Sequence, residues 1–259
     1  MSALILRRNL VTAGLVTAAG AAGVGLSGRW LANHALIPPD GRSLLGAGET
    51  LTYSAQRWLT SGQSLAREFP RSRISKVAPV NGWAPRDASY RNMLATGFRD
   101  WLLTISGLVA RPLSISLDQL KQLPAESHVI LHACEEGWSY IAEWTGVRLS
   151  TVLQLVQIRP EARYLIFMPF PNPKQDTLAV RTLWDSIDMA EALHPQTLLA
   201  YGMNGDNLPA DHGAPVRLRL SRQLGYKNTK FLNRIIVTDS MQKFGTRAGA
   251  RPGTWYGGI

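Results

Sequence analysis

The stretch HACEEGWSY, residues 132–140, contains Cys134, which is the only cysteine among the 259 residues of the chain. A single thiol cannot form a disulfide within the chain. Three roles therefore remain for it: packing in the core, nucleophilic attack, or binding of a metal. The residues on either side of the sulfur bear on this choice.

The segment before the cysteine is apolar, and the segment after it is not. HVILHA, residues 128–133, predicts a buried strand that brings Cys134 to its C-terminal end. A polar and aromatic run, residues 135–140, follows where a core strand would continue with apolar side chains. A strand that opens into a polar, glycine-containing turn is typical of a sheet that presents a ligand at a pocket, and a thiolate suits a redox metal.

Other roles of Cys134 stay open on these residues alone. His132 and Cys134 would share one face of a strand, so the histidine could act as the base of a thiol nucleophile. His128 could join them in a zinc site, although the five histidines show no recognised zinc spacing. An inert cysteine in the core is the remaining alternative.

Two blocks of the sequence resemble one enzyme family. The first block resembles the stretch of the sulfite-oxidase superfamily in which a single cysteine ligates molybdenum. It begins at Cys134 and reads CEEGWSYIAEWTGVRLSTVL. The second block resembles the segment that holds the pterin in the same family. It begins at Ala192 and reads ALHPQTLLAYGMNGDNLPADHGAPVRLRLSRQLGYKNTKFLNRI. The resemblance covers about residues 75–259. It is closest to the bacterial, exported, haem-free members, which include methionine-sulfoxide-reducing catalytic subunits.

The resemblance implies a molybdenum-molybdopterin cofactor and a set of residues that bind it. Cys134 would be the metal ligand and the catalytic residue, together with two dithiolene sulfurs of the cofactor. The other cofactor-binding residues implied by the match are Asn81, His212, Arg217, Asn228, Thr229 and Lys230. Pro169 stands where exported reductases of the family often have a cofactor-contacting threonine, so any contact there would use the backbone.

The second block is also consistent with an anionic ligand on chemical grounds. Molybdopterin carries a phosphate, and its metal–dithiolene unit is anionic, so a pocket for it needs donors and positive charge. Arg217, Lys227 and Lys230 supply positive charge in this block, and Gly213 allows the backbone to approach a ligand closely. A basic strand and loop on the protein surface is the alternative interpretation.

The expected reaction is the transfer of an oxygen atom to or from a small substrate, often at sulfur. Sulfite-oxidising relatives often have arginines soon after the ligand cysteine, whereas this chain has Glu135 and Glu136. These carboxylates would repel sulfite if they face the metal, which favours a neutral S- or N-oxide. Sulfite oxidation proper and a non-catalytic binding module of the same fold are the alternatives.

Electrons would have to come from a separate redox partner. The chain contains no Cys-x-x-Cys-His motif for haem attachment. A membrane cytochrome b or a periplasmic cytochrome c is the expected partner. The formal net charge of +10 favours anions, but the basic residues are scattered and no nucleic-acid motif is present, so nucleic acid is not expected to bind.

The N-terminus predicts export. LILRRNLVTAGLVTAAGAAGVGL places Arg7 and Arg8 before a weakly apolar run, as in a twin-arginine signal, although Leu6 departs from the usual serine or threonine. An ordinary secretory signal is the alternative, and an uncleaved signal would anchor the protein to a membrane. We expect a periplasmic protein with three parts: an export signal or anchor (1–30), an extended linker (31–74) and a molybdopterin-binding oxidoreductase domain (75–259).

Within the domain, the hydrophobic pattern predicts an α+β fold, the sulfite-oxidase fold, with mixed or antiparallel sheets and short helices. Residues 81–92 are expected to form a loop, and Asn204-Gly205 the turn of a hairpin. Besides 128–133, strands are predicted at 101–108, 162–168, 177–183, 214–220 and 233–239. Helices are predicted at 116–124, 149–156 and 186–194.

Overall fold

Two five-stranded β-sheets carry the fold in the computed structural model, which describes residues 64–170 and 184–241 together with the single residues 55 and 244. The strands are β1 (Leu102–Gly107), β2 (Leu113–Ser116), β3 (Ala125–Ala133), β4 (Ser139–Arg148), β5 (Tyr164–Pro169), β6 (Asp185–Asp188), β7 (Leu198–Met203), β8 (Asp206–Asn207), β9 (Arg217–Arg219) and β10 (Leu232–Thr238). The helices are α1 (Ala88–Ala95), α2 (Leu117–Lys121), α3 (Leu149–Val156) and α4 (Met189–Ala192).

The first sheet is mixed and the second is antiparallel. The first has the order β2-β1-β10-β5-β6, in which β1 and β10 run parallel and the other pairs antiparallel. The second has the order β3-β4-β7-β8, and β9 also pairs with β7. Side chains from both sheets belong to one hydrophobic cluster, for example Leu103 and Leu198. The prediction of an α+β fold with mixed sheets and short helices is confirmed.

The two predicted helices that form as expected do so for different reasons. α2 begins with a capping box, in which the Ser116 side chain accepts from Gln119 N and the Gln119 side chain accepts from Ser116 N. α3 has no side-chain cap and depends instead on its apolar face. Four aliphatic side chains of α3 are fully buried, each of which stabilises the fold by about 1.5–3 kcal/mol; these are Leu149, Val152, Leu153 and Val156.

Three local predictions were wrong. Residues 88–95 form helix α1 rather than a loop, because Asp87 caps it by accepting from Tyr90 N. The predicted helix 186–194 contains a strand, β6, and its helical part begins only after Asp188, whose side chain accepts from Glu191 N. Strand β4, which begins at Ser139 near the end of the polar and aromatic run after Cys134, was not predicted. The predicted strand 177–183 lies outside the described residues.

An N-terminal segment lies along the edge of the second sheet. Phe69 N donates to Val129 O and Ser75 N donates to Ile141 O, both at 2.8–2.9 Å. The segment thereby covers backbone groups of β3 and β4 that would otherwise be an open sheet edge. The chain divides into two compact units, Met1–Gly62 and Gln63–Ile259. Every described residue except Ala55 belongs to the second unit. Within the part of the chain that the structure describes, no helix is long and apolar enough to cross a membrane.

Candidate active site

Cys134 lies in the tight turn that joins β3 to β4. Its N–H donates to Trp138 O at 2.9 Å, and Gly137 N donates to Cys134 O at 3.1 Å. Gly137 has a φ of +89°, which glycine adopts without the strain that a side chain would cause. The prediction that a strand delivers the cysteine into a glycine-containing turn is confirmed, and the turn holds the sulfur in a defined position.

The turn opens onto a cavity of about 420 Å³. All seven residues that the resemblance assigned to the site line this cavity, although they come from five separate parts of the chain; they are Asn81, Cys134, His212, Arg217, Asn228, Thr229 and Lys230. Trp138, Tyr140 and Pro169 line it as well. The fold therefore brings the two sequence blocks and the upstream asparagine to one place.

Three polar side chains surround the sulfur. Cys134 Sγ lies 3.3 Å from Glu135 Oε2, 4.0 Å from Glu136 Oε2 and 4.0 Å from Asn81 Nδ2. Burial raises the pKa of the Cys134 thiol, and Glu135 raises it further, while a backbone hydrogen bond at Glu136 and the amide of Asn81 act against this. The thiol is therefore not activated as a free nucleophile. A bound metal cation would stabilise the thiolate by displacing the proton.

Two buried arginines stack over one tryptophan beside the cavity. The guanidinium carbons of Arg217 and Arg219 lie 4.9 and 5.4 Å from the Trp144 ring centroid, and both residues are at most 3% exposed. Burial lowers the pKa of Arg217 to about 10 and that of Arg219 to about 9. No carboxylate pairs with either group among residues 64–170 and 184–241. Two buried positive charges without a counterion create a strong local preference for an anion.

The basic residues of the second block have different hydrogen-bonding roles. Arg217 donates to His212 O at 2.8 Å and to Asn228 O at 3.1 Å, and its buried Nε has no partner within residues 64–170 and 184–241. Lys230 Nζ donates to Asn81 O at 2.6 Å and to Asp211 O at 2.8 Å, so it ties together two segments of the cavity wall. Burial lowers the pKa of Lys230 to about 8.

Asn228, Thr229 and His212 differ in what they can offer to a ligand. The Asn228 side chain is used internally, since Oδ1 accepts from Leu220 N at 2.7 Å and Nδ2 donates to Leu224 O at 3.0 Å. Thr229 Oγ1 is buried and has no hydrogen-bond partner among the described residues. Burial, followed by the charges of neighbouring cations, lowers the pKa of His212 to about 4, so its imidazole is neutral at neutral pH.

One basic residue of the predicted cluster does not line the cavity. Lys227 is fully buried, and its Nζ lies 2.5 Å from both Asp185 Oδ1 and Ser186 O. The prediction that it belongs to the positive wall was wrong, because a carboxylate on β6 neutralises its charge. All three residues of β9 are buried, both arginines included, which also contradicts the alternative of a basic surface strand.

The zinc alternative for Cys134 finds little support in the geometry. His128 lies outside the cavity and bonds Glu68 at 2.8 Å, so it does not join His132 and Cys134 at a zinc site. Across the described residues, no cluster of three or more histidine, cysteine or acidic side chains could hold a metal. The resemblance implies instead that a metal bound by Cys134 would take its other sulfur ligands from the cofactor.

The structure adds His132 to the residues that line the cavity, and it places Arg219 and Trp144 beside Arg217 although neither of the two lines the cavity. Arg219 follows Arg217 by two positions in β9. Residues two positions apart lie on the same face of a strand, so the sequence pattern indicated that the two arginines share a face. Trp144 belongs to β4, and its role could not be seen without that strand. The donor set fits an anionic cofactor, since three buried polar atoms at the cavity are unpartnered among the described residues: Arg217 Nε, Thr229 Oγ1 and His132 Nδ1.

Residues 92–244 match the family model described as the oxidoreductase molybdopterin binding domain. The chain belongs to this family. It is 39% identical over 185 residues to the putative protein-methionine-sulfoxide reductase subunit YedZ1 of Azospira oryzae, a match that covers 71% of this chain and 65% of that protein. It is 36% identical over 147 residues to the protein-methionine-sulfoxide reductase catalytic subunit MsrP of Xanthomonas campestris, covering 54% of this chain and 46% of the relative.

The chain thus spans between about half and two thirds of the length of these relatives. Among solved structures, it is similar to the sulfane dehydrogenase SoxCD from Paracoccus pantotrophus, with a TM-score of 0.48 and 23% identity over 55% of this chain and 39% of the SoxCD chain. The family match confirms the predicted enzyme family and its cofactor class, molybdopterin.

Proposed function

We propose that this molybdopterin-binding oxidoreductase reduces a neutral S-oxide or N-oxide by removing its oxygen atom, with Cys134 as the metal ligand. The observation that carries the proposal is the position of Cys134 Sγ in the wall of the cavity, within 4.0 Å of two carboxylates. Both relatives named above are described as parts of protein-methionine-sulfoxide reductases, which supports a sulfoxide as substrate.

The chain would hold the cofactor by charge and by the unpartnered donors of the cavity wall. Arg217 and Thr229 would contact its anionic groups, the neutral His212 would offer a hydrogen bond, and Cys134 would bind the metal. The backbone of Lys230 and Asn228 completes this wall. When bound, the molybdenum centre supplies the exchange of an oxygen atom and two electrons with the substrate.

Glu135, which lines the cavity, would select the substrate by charge; Glu136 does not line the cavity, and its Oε2 accepts a hydrogen bond from Trp138 Nε1. Sulfite is a dianion, and two like charges about 4 Å apart repel by about 1 kcal/mol in water and about 4 kcal/mol near a protein surface. A sulfoxide or N-oxide carries no net charge and avoids this repulsion. Asn81, whose amide lies 4.0 Å from the sulfur, is positioned to donate a hydrogen bond to the oxygen of such a substrate.

Electron supply and location complete the proposal. The single cysteine cannot form a Cys-x-x-Cys-His haem site, so electrons would come from another protein, a membrane cytochrome b or a periplasmic cytochrome c. The Arg7-Arg8 segment supports export to the periplasm, with residues 1–30 as signal or anchor and 31–74 as linker. Activity that requires a cytoplasmic flavoprotein and not a cytochrome would contradict this part.

The test combines metal analysis with a substrate comparison. Protein exported from a molybdenum-replete host is analysed for molybdenum and for the fluorescent oxidation product of pterin, beside Cys134→Ser. A reduced dye then supplies electrons for methionine sulfoxide, peptide-bound methionine sulfoxide and an amine N-oxide, and an oxidised dye accepts them from sulfite. The proposal predicts about one molybdenum per chain, sulfoxide or N-oxide reduction, and loss of activity in Cys134→Ser.

Each of the other results would count against the proposal. Faster turnover of sulfite than of every oxide would establish sulfite oxidation instead. Loaded cofactor without activity on any of these compounds would support a non-catalytic binding module. Absence of both molybdenum and pterin would rule out the enzyme and leave Cys134 as a packing residue.

A further inference from the structure

His132 is a cavity-lining residue with one ring nitrogen left unsatisfied in the part of the chain that the structure describes. The residue is 4% exposed, it lines the same cavity as Cys134, and its Nδ1 bonds to nothing among the described residues. A buried polar group without a partner costs about 1–3 kcal/mol in protein mutational data. A ligand that enters the cavity would remove this cost if it carried a complementary group.

The surrounding residues hold the imidazole in place without satisfying that nitrogen. His132 lies opposite Tyr140 in the pairing of β3 with β4, and the two ring centroids are 5.0 Å apart. The centroid of the Trp144 ring lies 5.9 Å from that of the His132 ring. On the other side, a Cβ added at Gly225 would lie 3.2 Å from His132 Nε2, so the absence of a side chain there leaves room for the ring.

Two further residues that line the cavity have a buried atom without a partner among the described residues, namely Arg217 Nε and Thr229 Oγ1. Each such group in a native structure calls for an explanation, such as a bound ligand or an ordered water. Arg217 and Thr229 have the chemistry to hold an anion. A histidine nitrogen suits the amino, ring-nitrogen and carbonyl groups of a pterin, whichever tautomer the histidine has.

We propose that His132 is a cofactor-binding residue that forms a hydrogen bond through Nδ1 with bound molybdopterin. The inference rests on the proposed function for the presence of the cofactor, and it concerns binding rather than the oxygen-transfer step. It also gives the histidine a role other than that of a base for Cys134, because no hydrogen bond joins the two side chains in the described structure.

Two substitutions distinguish the contribution of the hydrogen-bonding nitrogen from that of the aromatic ring. His132→Phe keeps the aromatic contacts with Tyr140 and Trp144 and removes both nitrogens, whereas His132→Gln keeps a hydrogen-bonding side chain. His128→Phe is the matched control, because His128 lies four residues earlier on β3, bonds Glu68 and does not line the cavity. Each variant is purified with cofactor from a molybdenum-replete host and without it from a molybdenum-starved host.

The readout is cofactor retention, which does not depend on any substrate. Molybdenum and pterin are measured over time after transfer into mild denaturant. We expect His132→Phe to lose cofactor about tenfold faster than the wild type, as for one lost hydrogen bond. His132→Gln should lie closer to the wild type, and His128→Phe should match it.

Three outcomes would overturn the inference. Release from His132→Phe at the wild-type rate would show that Nδ1 makes no contact with the cofactor. An equal fall in melting temperature of the cofactor-free and loaded His132→Phe proteins would show a role in folding instead. A lack of molybdenum and pterin in the wild type as well as in the control would remove the proposed function, and this inference with it.

Discussion

The side-chain ammonium group of Lys230 donates a 2.6 Å hydrogen bond to the backbone carbonyl of Asn81, 149 residues earlier in the chain. A second bond joins the same ammonium group to Asp211 O at 2.8 Å. The resemblance assigned Lys230 to the binding of the cofactor. In the structure, one of its three donors binds the segment that carries Asn81 and a second binds the segment that carries Asp211. The lysine therefore also positions the residue whose amide lies near the sulfur.

Replacement of Lys230 by methionine should release the Asn81 segment. Hydrogen bonds from charged donors contribute about 1.5–3 kcal/mol each, so we expect proteolytic cleavage within residues 79–85 to increase at least about tenfold. Limited proteolysis followed by mass spectrometry checks this. Lys121→Met is the control, because Lys121 bonds Asn207 outside the cavity and should leave cleavage unchanged.

Arg217→Met should weaken cofactor binding without unfolding the protein. Methionine can keep apolar contact with Trp144, while the positive charge and the unpartnered Nε are lost. We expect at least about a tenfold drop in the fraction of chains that retain molybdenum after dialysis, in line with the loss of a charge-assisted hydrogen bond. Arg159→Met, which removes a charge away from the cavity, should retain the wild-type fraction. Equal retention in both variants would contradict the assignment of Arg217.

Glu135→Gln should shift the substrate preference towards anions. The substitution keeps the size of the side chain and removes the negative charge 3.3 Å from the sulfur. We expect kcat/KM for sulfite to rise roughly tenfold, and kcat/KM for a neutral sulfoxide to change little. Glu161→Gln, an exposed carboxylate outside the cavity, should change neither value. A parallel change for both substrates would show that Glu135 does not select by charge.

Gly137→Ala should destabilise the turn that carries Cys134. An added Cβ would meet no atom within 4 Å, so the cost comes from the backbone, which has a φ of +89°. We expect a loss of about 1–2 kcal/mol in the free energy of unfolding, measured by urea titration of the cofactor-free protein. Gly205→Ala, in the β7–β8 turn with a φ of +91°, should cost a similar amount while leaving cofactor retention intact. A neutral effect of Gly137→Ala would show that the turn adapts.

Acid should destabilise the cofactor-free protein through His212. Burial and the neighbouring Arg217 and Lys230 lower the folded-state pKa to about 4 from the ordinary value of 6.5. Between these two values the unfolded state binds more protons than the folded state, so stability is present above about pH 6.5 and is lost as the pH falls towards 4. His132, whose pKa is also lowered, acts in the same direction.

The measurement is the urea midpoint of wild type and His212→Gln at pH 7 and pH 5. The variant should lose less stability over this interval than the wild type. Parallel losses in the two proteins would mean that other groups cause the acid sensitivity.

Local sequence signals predicted those elements whose stability is itself local. The capping box of α2, the apolar face of α3 and the Asn204-Gly205 turn each depend on neighbours along the chain. The strand before Cys134 was predicted from its apolar run. Strand β4 was missed because it begins within the polar run after Cys134 and because one of its two partners, β7, lies fifty or more residues away along the chain.

In the candidate site, too, the sequence predicted which residues take part but not how they interact. Family resemblance named seven residues, and all of them line one cavity. It could not show that Lys227 is neutralised by Asp185, or that Arg219 shares the Trp144 ring with Arg217. These facts depend on which side chains meet across strands, and residue type alone does not determine that.

The sequence by itself determined the family, the cofactor class and the single thiol, because these depend on which residues are present and in what order. Only the tertiary structure decided which charges are neutralised, which donors are left without partners and which groups surround the sulfur. The physical reason is that hydrogen bonding and burial act between atoms a few ångströms apart in space, and residues such as Asn81 and Lys230 reach that distance only after the chain has folded.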